Sequence, residues 1–389
     1  MFSDELIRPW LERLREDLPG LEPFDVHTHI GENDPDEFRC TREELVQALE
    51  LADAQGVVFP MHEPDGYPAA NDRILAEAEA SGGRLTPFAR LDPAADPLAE
   101  AERCLDAGAA GLKLHPRAEN FTLDHPALVD VFALADERRV PIICHAGRGI
   151  PALGRHAVDL CGRFPGARLI LAHAGICDLA WIWREAPDHP NLFFDTAWWL
   201  PGDLLALFAL VPPGQILFGS DAPYGTPAFS LTMALRYALQ AGLTPEQIEE
   251  VGGGQLRRLL AREDPLDLGP APGESGLVRD PVLDRVYGYL IGAVGQMLAG
   301  VEPNELLALA GLAAEVGDHV PQATICSSVL ALIEERSRYA ATVHEDGRPS
   351  RFARGTHLIV VAAGLSRTPD VPLPPDPVPV DVSERAAQA

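Results

Sequence analysis

Apolar residues along this chain gather in short runs, and between the runs they recur at helical spacing. Runs rich in Val, Ile, Leu and Phe lie at 24–29, 57–62, 85–90, 111–115, 140–145, 168–173, 191–195 and 215–220. Amphipathic stretches at 41–54, 70–81, 97–107, 126–138, 153–164, 178–186, 202–210 and 228–241 alternate with them. Residues 3–17 read as a lead-in helix closed by Pro19 and Gly20. Thr41, three residues before Glu44, makes a capping box at the start of the helix after the first run. Strands that are apolar almost throughout need cover on both faces, and their alternation with helices makes them parallel. Eight such units predict an α/β fold, a (β/α)8 TIM barrel, over an open doubly wound sheet. No Gly-x-Gly-x-x-Gly opens the first unit, which weighs against a dinucleotide fold. Gly252-Gly253-Gly254 reads as a break between two closing helices.

The pattern changes after about residue 264. Residues 1–265 are the predicted barrel, 266–276 a Gly/Pro linker, 277–368 a C-terminal helical appendage, and 369–389 a Pro-rich tail expected to be extended and disordered. Helices are predicted near 281–299, 304–317 and 321–341, the first with Asp280 as cap and Pro281 in its first turn. Residues 356–364 fit a strand or a helix equally well. Three apolar helix faces cannot all be buried against one another in so short a segment. They are expected to pack on the barrel or on a second subunit, which makes a homodimer the expected state.

Composition narrows the partners. The formal charge of −27 argues against nucleic acid or an anionic membrane, which need a basic surface. Six scattered cysteines without a Cys-x-x-Cys pair fit reduced thiols in a cytoplasm. The N-terminal stretch with Asp4, Glu5 and Trp10 does not read as a signal peptide, and the apolar run from Val286 to Val301 is short for a bilayer span. A small-molecule substrate is left as the expected partner. Of 31 basic residues, Lys113 is the sole lysine, so that position is expected to need an amine able to lose its proton.

Candidate chemistry collects at the ends of the predicted strands. His27 and His29 project together from the first, and neutral imidazole is a common ligand for zinc. Later strands end in His62, Arg90, Lys113 with His115, His145, His173, Asp195 and Asp221. Barrel enzymes place their chemistry at the carboxyl ends of strands, where an ordinary interior would show Val, Ile and Leu. A metal site is therefore predicted there. Arg90, Arg117 and Arg148 are candidates for a substrate carboxylate because Arg offers a planar fork. Trp198, Trp199 and Tyr224 could line an aromatic wall, and His62 with Glu63 ends the second strand in a capping or substrate-contact role.

The motifs FDVHTH, GLKLHP (111–116), CHAG (144–147), AHAG (172–175) and FGSDAPYG (218–225) resemble the amidohydrolase superfamily. Within it they are most similar to the amidohydrolase-related group that includes aminocarboxymuconate semialdehyde decarboxylase. The stretch IEEVGGGQLRRLLA (248–261) also resembles that group's closing helix, with Gln255 where Asn is usual. The resemblance implies His27, His29, His145 and Asp221 as ligands of one divalent ion, zinc, that activates water. It implies Asp221 as acceptor of a hydrogen bond from that water, and His173 as general acid/base or oxyanion stabiliser. Some superfamily members carboxylate a lysine on strand four to bridge two metals; the decarboxylase-like group works with one metal. One metal is expected here, with Lys113 a neutral amine or a substrate contact and His115 beside it.

The resulting expectation is a cytoplasmic metal-dependent hydrolase acting on a small carboxylated or cyclic compound. The alternative on the same site is a metal-dependent non-oxidative decarboxylase, a lyase. A remoter one is a non-catalytic metal-binding protein whose appendage holds a partner.

Overall fold

The computed structural model describes residues 4–277, 279–341 and 352–375. The barrel predicted from the alternation is the fold observed. Strands β1 (Phe24–Ile30), β2 (Gln55–Pro60), β3 (Leu85–Arg90), β4 (Gly111–Leu114), β5 (Pro141–Cys144), β6 (Arg168–Leu171), β7 (Leu192–Asp195) and β8 (Ile216–Leu217) form one parallel sheet in sequential order. Helices α1 (Asp4–Arg15), α2 (Arg42–Leu51), α3 (Pro68–Ala80), α4 (Pro97–Asp106), α5 (Leu128–Arg138), α6 (Leu153–Arg163), α7 (Leu179–Ile182), α8 (Pro201–Leu210) and α9 (Pro227–Ala241) surround it. The short α10 (Pro245–Glu249) and α11 (Gln255–Leu260) come next, and the π-turn Glu250–Gly254 between them holds the three glycines. Ser3 of the lead-in helix lies outside the described residues.

The ring is closed where β1 meets the chain just beyond β8. Val26 N donates to Phe218 O at 2.9 Å, and His29 N donates to Ala222 O at 2.8 Å. Below the strand ends the barrel is filled by Phe24, Val26, Val57, Phe59, Phe88, Ile143, Ile170, Phe193 and Leu217, and Leu256 and Leu259 of α11 complete this cluster. In β1 the register against β2 shifts between Asp25 and Thr28. Such a bulge resets which residues face the axis. Phe24 and Val26 thus join the apolar filling, while His27 and His29 join the polar layer above it.

The appendage consists of α12 (Pro281–Leu298), α13 (Asn304–Ala314), α14 (Ala323–Ala341) and α15 (Thr356–Leu365). Asp280 caps α12 through the N–H groups of Val282 and Leu283, with Pro281 in the first turn. Residues 356–364, open between strand and helix in the sequence, are helical, and every residue of α15 is buried. That explains the ambiguity: a helix buried all round carries no polar stripe to reveal its period. Val286, Leu290, Ile359 and Val361 share one apolar cluster with Phe208 of α8 and Met233 of α9. Of the Pro-rich tail, residues 369–375 lie within the description, and the Arg236 guanidinium donates to Pro372 O at 3.0 Å. Residues 376–389 lie outside it. Among the described residues no helix is long and apolar enough to cross a membrane.

Candidate active site

The bulged end of β1 and the loop after β8 bring three donors together. His27 Nε2 lies 3.1 Å from Asp221 Oδ1, and His29 Nε2 lies 3.2 Å from the same oxygen. Among the described residues these three form a group whose ligand atoms all fall within 4.8 Å of one another. Backbone bonds fix the pairing: Asp221 N donates to His27 O at 2.8 Å. The buried Asp25 binds both sides, Oδ1 accepting from His27 N at 3.0 Å and Ser220 N at 2.9 Å. Gly219 permits the approach, because a Cβ there would sit 3.2 Å from the Cβ atoms of both Asp195 and His27. Asp221 (φ 61) and His173 (φ 57) both hold left-handed backbone. Strain of this kind persists where surrounding structure over-determines it, often at functional sites.

The hydrogen bonds set the tautomers. His27 Nδ1 sits 2.7 Å from the buried Asp195 Oδ2 and carries the proton of that contact, which leaves Nε2 facing Asp221. His173 Nδ1 donates to Ala197 O at 2.8 Å. Its Nε2, 2.8 Å from His145 Nδ1, must then accept, so the His145 proton lies on Nδ1. His145 Nε2 is thereby left a bare lone pair, buried and without a hydrogen-bond partner. Gly147 keeps the space before it open, since a Cβ there would lie 2.6 Å from that nitrogen. His145 stands outside the three-residue group, stacked on the ring of His115 at 3.9 Å.

Electrostatics favour neutral imidazole at each of these histidines except His27. Burial pushes His29 down to about 3, against the pull of Asp221. Burial and neighbouring cationic groups hold His145 and His115 well below the usual imidazole range, and burial also lowers His173. Burial alone would raise the Asp221 carboxyl, but His27 and His173 hold it well below the usual carboxylate range. For His27, burial and Lys113 oppose the charge; Asp221 and Asp195 outweigh them and raise it. Burial brings Lys113 down to about 8, its Nζ 3.3 Å from His27 Nε2 and 4.5 Å above the Phe59 ring. Buried imidazoles with free lone pairs beside a carboxylate suit a divalent ion of the zinc type.

Above the donors opens a cleft of about 690 Å³, lined by His145, His173 and Asp221 below and by Arg117, Arg148, Trp198, Trp199 and Tyr224 around it. Arg148 lies over the Trp198 ring at 5.4 Å, and Trp198 Nε1 donates to Asp203 Oδ2 at 2.6 Å. Tyr224 meets His29 edge-on at 5.6 Å and donates its hydroxyl to Asp34. Arg90 is not among the cleft-lining residues. Its guanidinium is buried in an ion pair with Glu119 at 2.7 Å, donates to Pro60 O at 3.2 Å, and stacks on Tyr67. His62 lies two residues beyond the end of β2, with Nδ1 buried and without a hydrogen-bond partner.

The structure adds residues that the sequence reading left without a role. Asp195 was visible as a strand end, but its grip on His27, 168 residues away, reaches past β8 across the closing joint of the barrel. Glu119 reaches Arg90 from the loop after β4. Leu298 and Phe352 line the cleft from the appendage, and no periodicity could have placed them there.

Residues 24–261 match the family described as amidohydrolase. No curated protein matches the chain. Among solved structures, a candidate amidohydrolase from Staphylococcus aureus is 18% identical over 62% of this chain and 100% of its own, with a TM-score of 0.50. A 2,6-dihydroxybenzoate decarboxylase from Rhizobium is 16% identical over 62% of this chain and 99% of its own, at 0.48. A 5-carboxyvanillate decarboxylase from Novosphingobium aromaticivorans, complexed with manganese, is 11% identical over 62% and 96%, at 0.49. At such identities the likeness is one of fold.

Proposed function

We propose, from the premise that this chain belongs to the amidohydrolase family, that it is a metal-dependent hydrolase of a small carboxylated or cyclic compound. The observation that carries the proposal is the convergence of His27, His29 and Asp221 within 4.8 Å, with Asp221 also lining the cleft. His27, His29 and Asp221 would hold one divalent ion, zinc, with His145 Nε2 as the further donor. Such an ion supplies Lewis acidity and makes water acidic enough to attack near neutral pH. Asp221, kept ionised, has a second oxygen to receive the proton of the attacking water. Asp221 itself returns that proton to the leaving group, and His173, its Nδ1–H held by Ala197 O and 4.0 Å from Asp221 Oδ2, steadies the carboxylate. Arg148 orients a substrate carboxylate, and Trp198 and Tyr224 confine the rest of the molecule. Lys113 stays unmodified as a neutral amine or substrate contact, with His115 packed on His145.

A second reading, non-oxidative decarboxylation, draws on Arg148. A carboxylate anchored there could also leave as carbon dioxide, the carbon left behind taking a proton that Asp221 has drawn from water. Lactones, amides and carboxylic acids incubated in heavy-oxygen water separate the readings. Product that gains one heavy oxygen without gas release supports the hydrolase, and carbon dioxide with no oxygen gained supports the lyase. Metal-loaded protein inert to the whole panel would leave a binding protein as the better account.

A further inference from the structure

The family module does not enclose the cleft by itself. Leu298, the last residue of α12, and Phe352, just before α15, line it together with Arg148, Trp198, Trp199 and Tyr224. Both lie beyond residue 261, where the family match ends. Phe352 meets Trp199 edge-on at 5.4 Å and Phe38 at 6.0 Å, and Phe38 lies 4.8 Å from Tyr224. Rings from the loops after β1, β7 and β8 are thus joined into one rim by a residue of the appendage.

Residues 353–356 anchor Phe352 through their backbone bonds. Ala353 N donates to Met297 O at 2.9 Å, next to Leu298. Arg336 Nε of α14 donates to Arg354 O at 3.1 Å, and Thr356 Oγ1 donates to Ala353 O at 2.6 Å. Trp199, the partner ring, is wedged against Phe229 of α9 at 5.9 Å and His357 of α15 at 4.9 Å. The wall is therefore fixed to both the barrel and the appendage before any ligand enters, and preorganised aromatic surface favours ligands with a flat face. Arg148 in the same cleft supplies the complement to a carboxylate.

We propose that the appendage is the specificity element of this cleft. Leu298 and Phe352 form the wall on which the flat, unsaturated ring of a carboxylate substrate packs, while Arg148 holds its charge. This rests on the reading of the cleft as the substrate site. Ligand-observed NMR titration of the full-length, metal-replete protein with benzoate and with acetate tests it. Wild type is expected to favour benzoate over acetate. Phe352→Ala should weaken benzoate by about tenfold and leave acetate unchanged, with Phe352→Leu between the two. Leu298→Trp, which fills the wall, should exclude benzoate and still admit acetate. Arg148→Ala should weaken both. An unchanged benzoate-to-acetate ratio in Leu298→Trp and either Phe352 variant overturns the proposal, as does a wild type without preference for benzoate. If Phe352→Ala fails to fold, Phe352→Leu and Leu298→Trp decide. Arg148→Ala binding both ligands as wild type does would instead remove the carboxylate reading, while the ratio would still judge the wall.

Discussion

Asp195 decides which nitrogen His27 offers, and that makes it as important to the donor set as the donors. With Asn in its place, the amide nitrogen can face His27 Nδ1 and invert the tautomer. Asp195→Asn should weaken zinc binding by roughly 10–100-fold with the melting temperature little changed. Equal zinc affinity in variant and wild type would remove Asp195 from the argument. Gly147→Ala places a methyl against His145 Nε2, so it should cut zinc retention while circular dichroism stays that of wild type. His27→Ala should lose the ion altogether, because the fold beneath rests on Phe24 and Val26 and not on the imidazole. Protein purified with and without bicarbonate should carry one zinc per chain in both cases; two zincs, falling in Lys113→Ala, would mean a carbamate bridge. At this scale the sequence was readable as residue types at strand ends, since chemistry there interrupts an otherwise apolar filling. Partnerships were not readable. Arg90 looked like a free fork in the sequence and is bound to Glu119, a residue 29 positions away.

At the scale of elements, local signals carried furthest where a side chain closes on its own backbone. Thr41 and Glu44 make both bonds of the capping box that begins α2, and Asp280 caps α12. Elements defined by distant partners were harder to read. The bulge in β1 is set by pairing with β2, and α15 has no polar face by which to recognise its turn. Ile359 is completely buried in α15, so Ile359→Ala should cost about 2–5 kcal/mol in denaturant unfolding. The lead-in helix α1 offers a pH test. Thr226 Oγ1 donates to Asp4 Oδ1 at 2.6 Å, and burial pushes the Asp4 carboxyl up to about 6 from 3.8. The folded state thus binds this proton more tightly than the unfolded chain does, and its contribution is lost as pH rises from about 4 through 6. Asp4→Asn should match wild type in melting temperature near pH 4 and exceed it at pH 7.5. A difference that is the same at both pH values would mean that the carboxyl is not strained.

For the whole molecule, barrel and appendage share one apolar cluster, because α15 packs on α8 and α9 and α12 packs on α15. Truncation after residue 265 would uncover Met233 and Tyr237, which lie against Gly364 of α15. The shortened chain is expected to aggregate; a soluble, monomeric product with the wild-type melting temperature would show that the barrel stands alone.

The closure of the barrel has a consequence for how the protein is made. Seven of the eight joints in the hoop link neighbours in sequence, whereas the eighth links β1 to residues beyond β8. His29 and Asp221 face each other across that joint, 192 residues apart. An ion held by both would act as a rivet, available only after nearly the whole hoop has been synthesised and bent round. Contacts of such long range come late in folding because the loop they close is long. Newly made chains should therefore be unable to take up zinc until Asp221 can reach β1, and the rivet should then resist opening of the joint in proportion to its occupancy. Chelation is expected to speed amide exchange at Val26, His29 and Asp221 before it does so in β4 and β5, across the hoop.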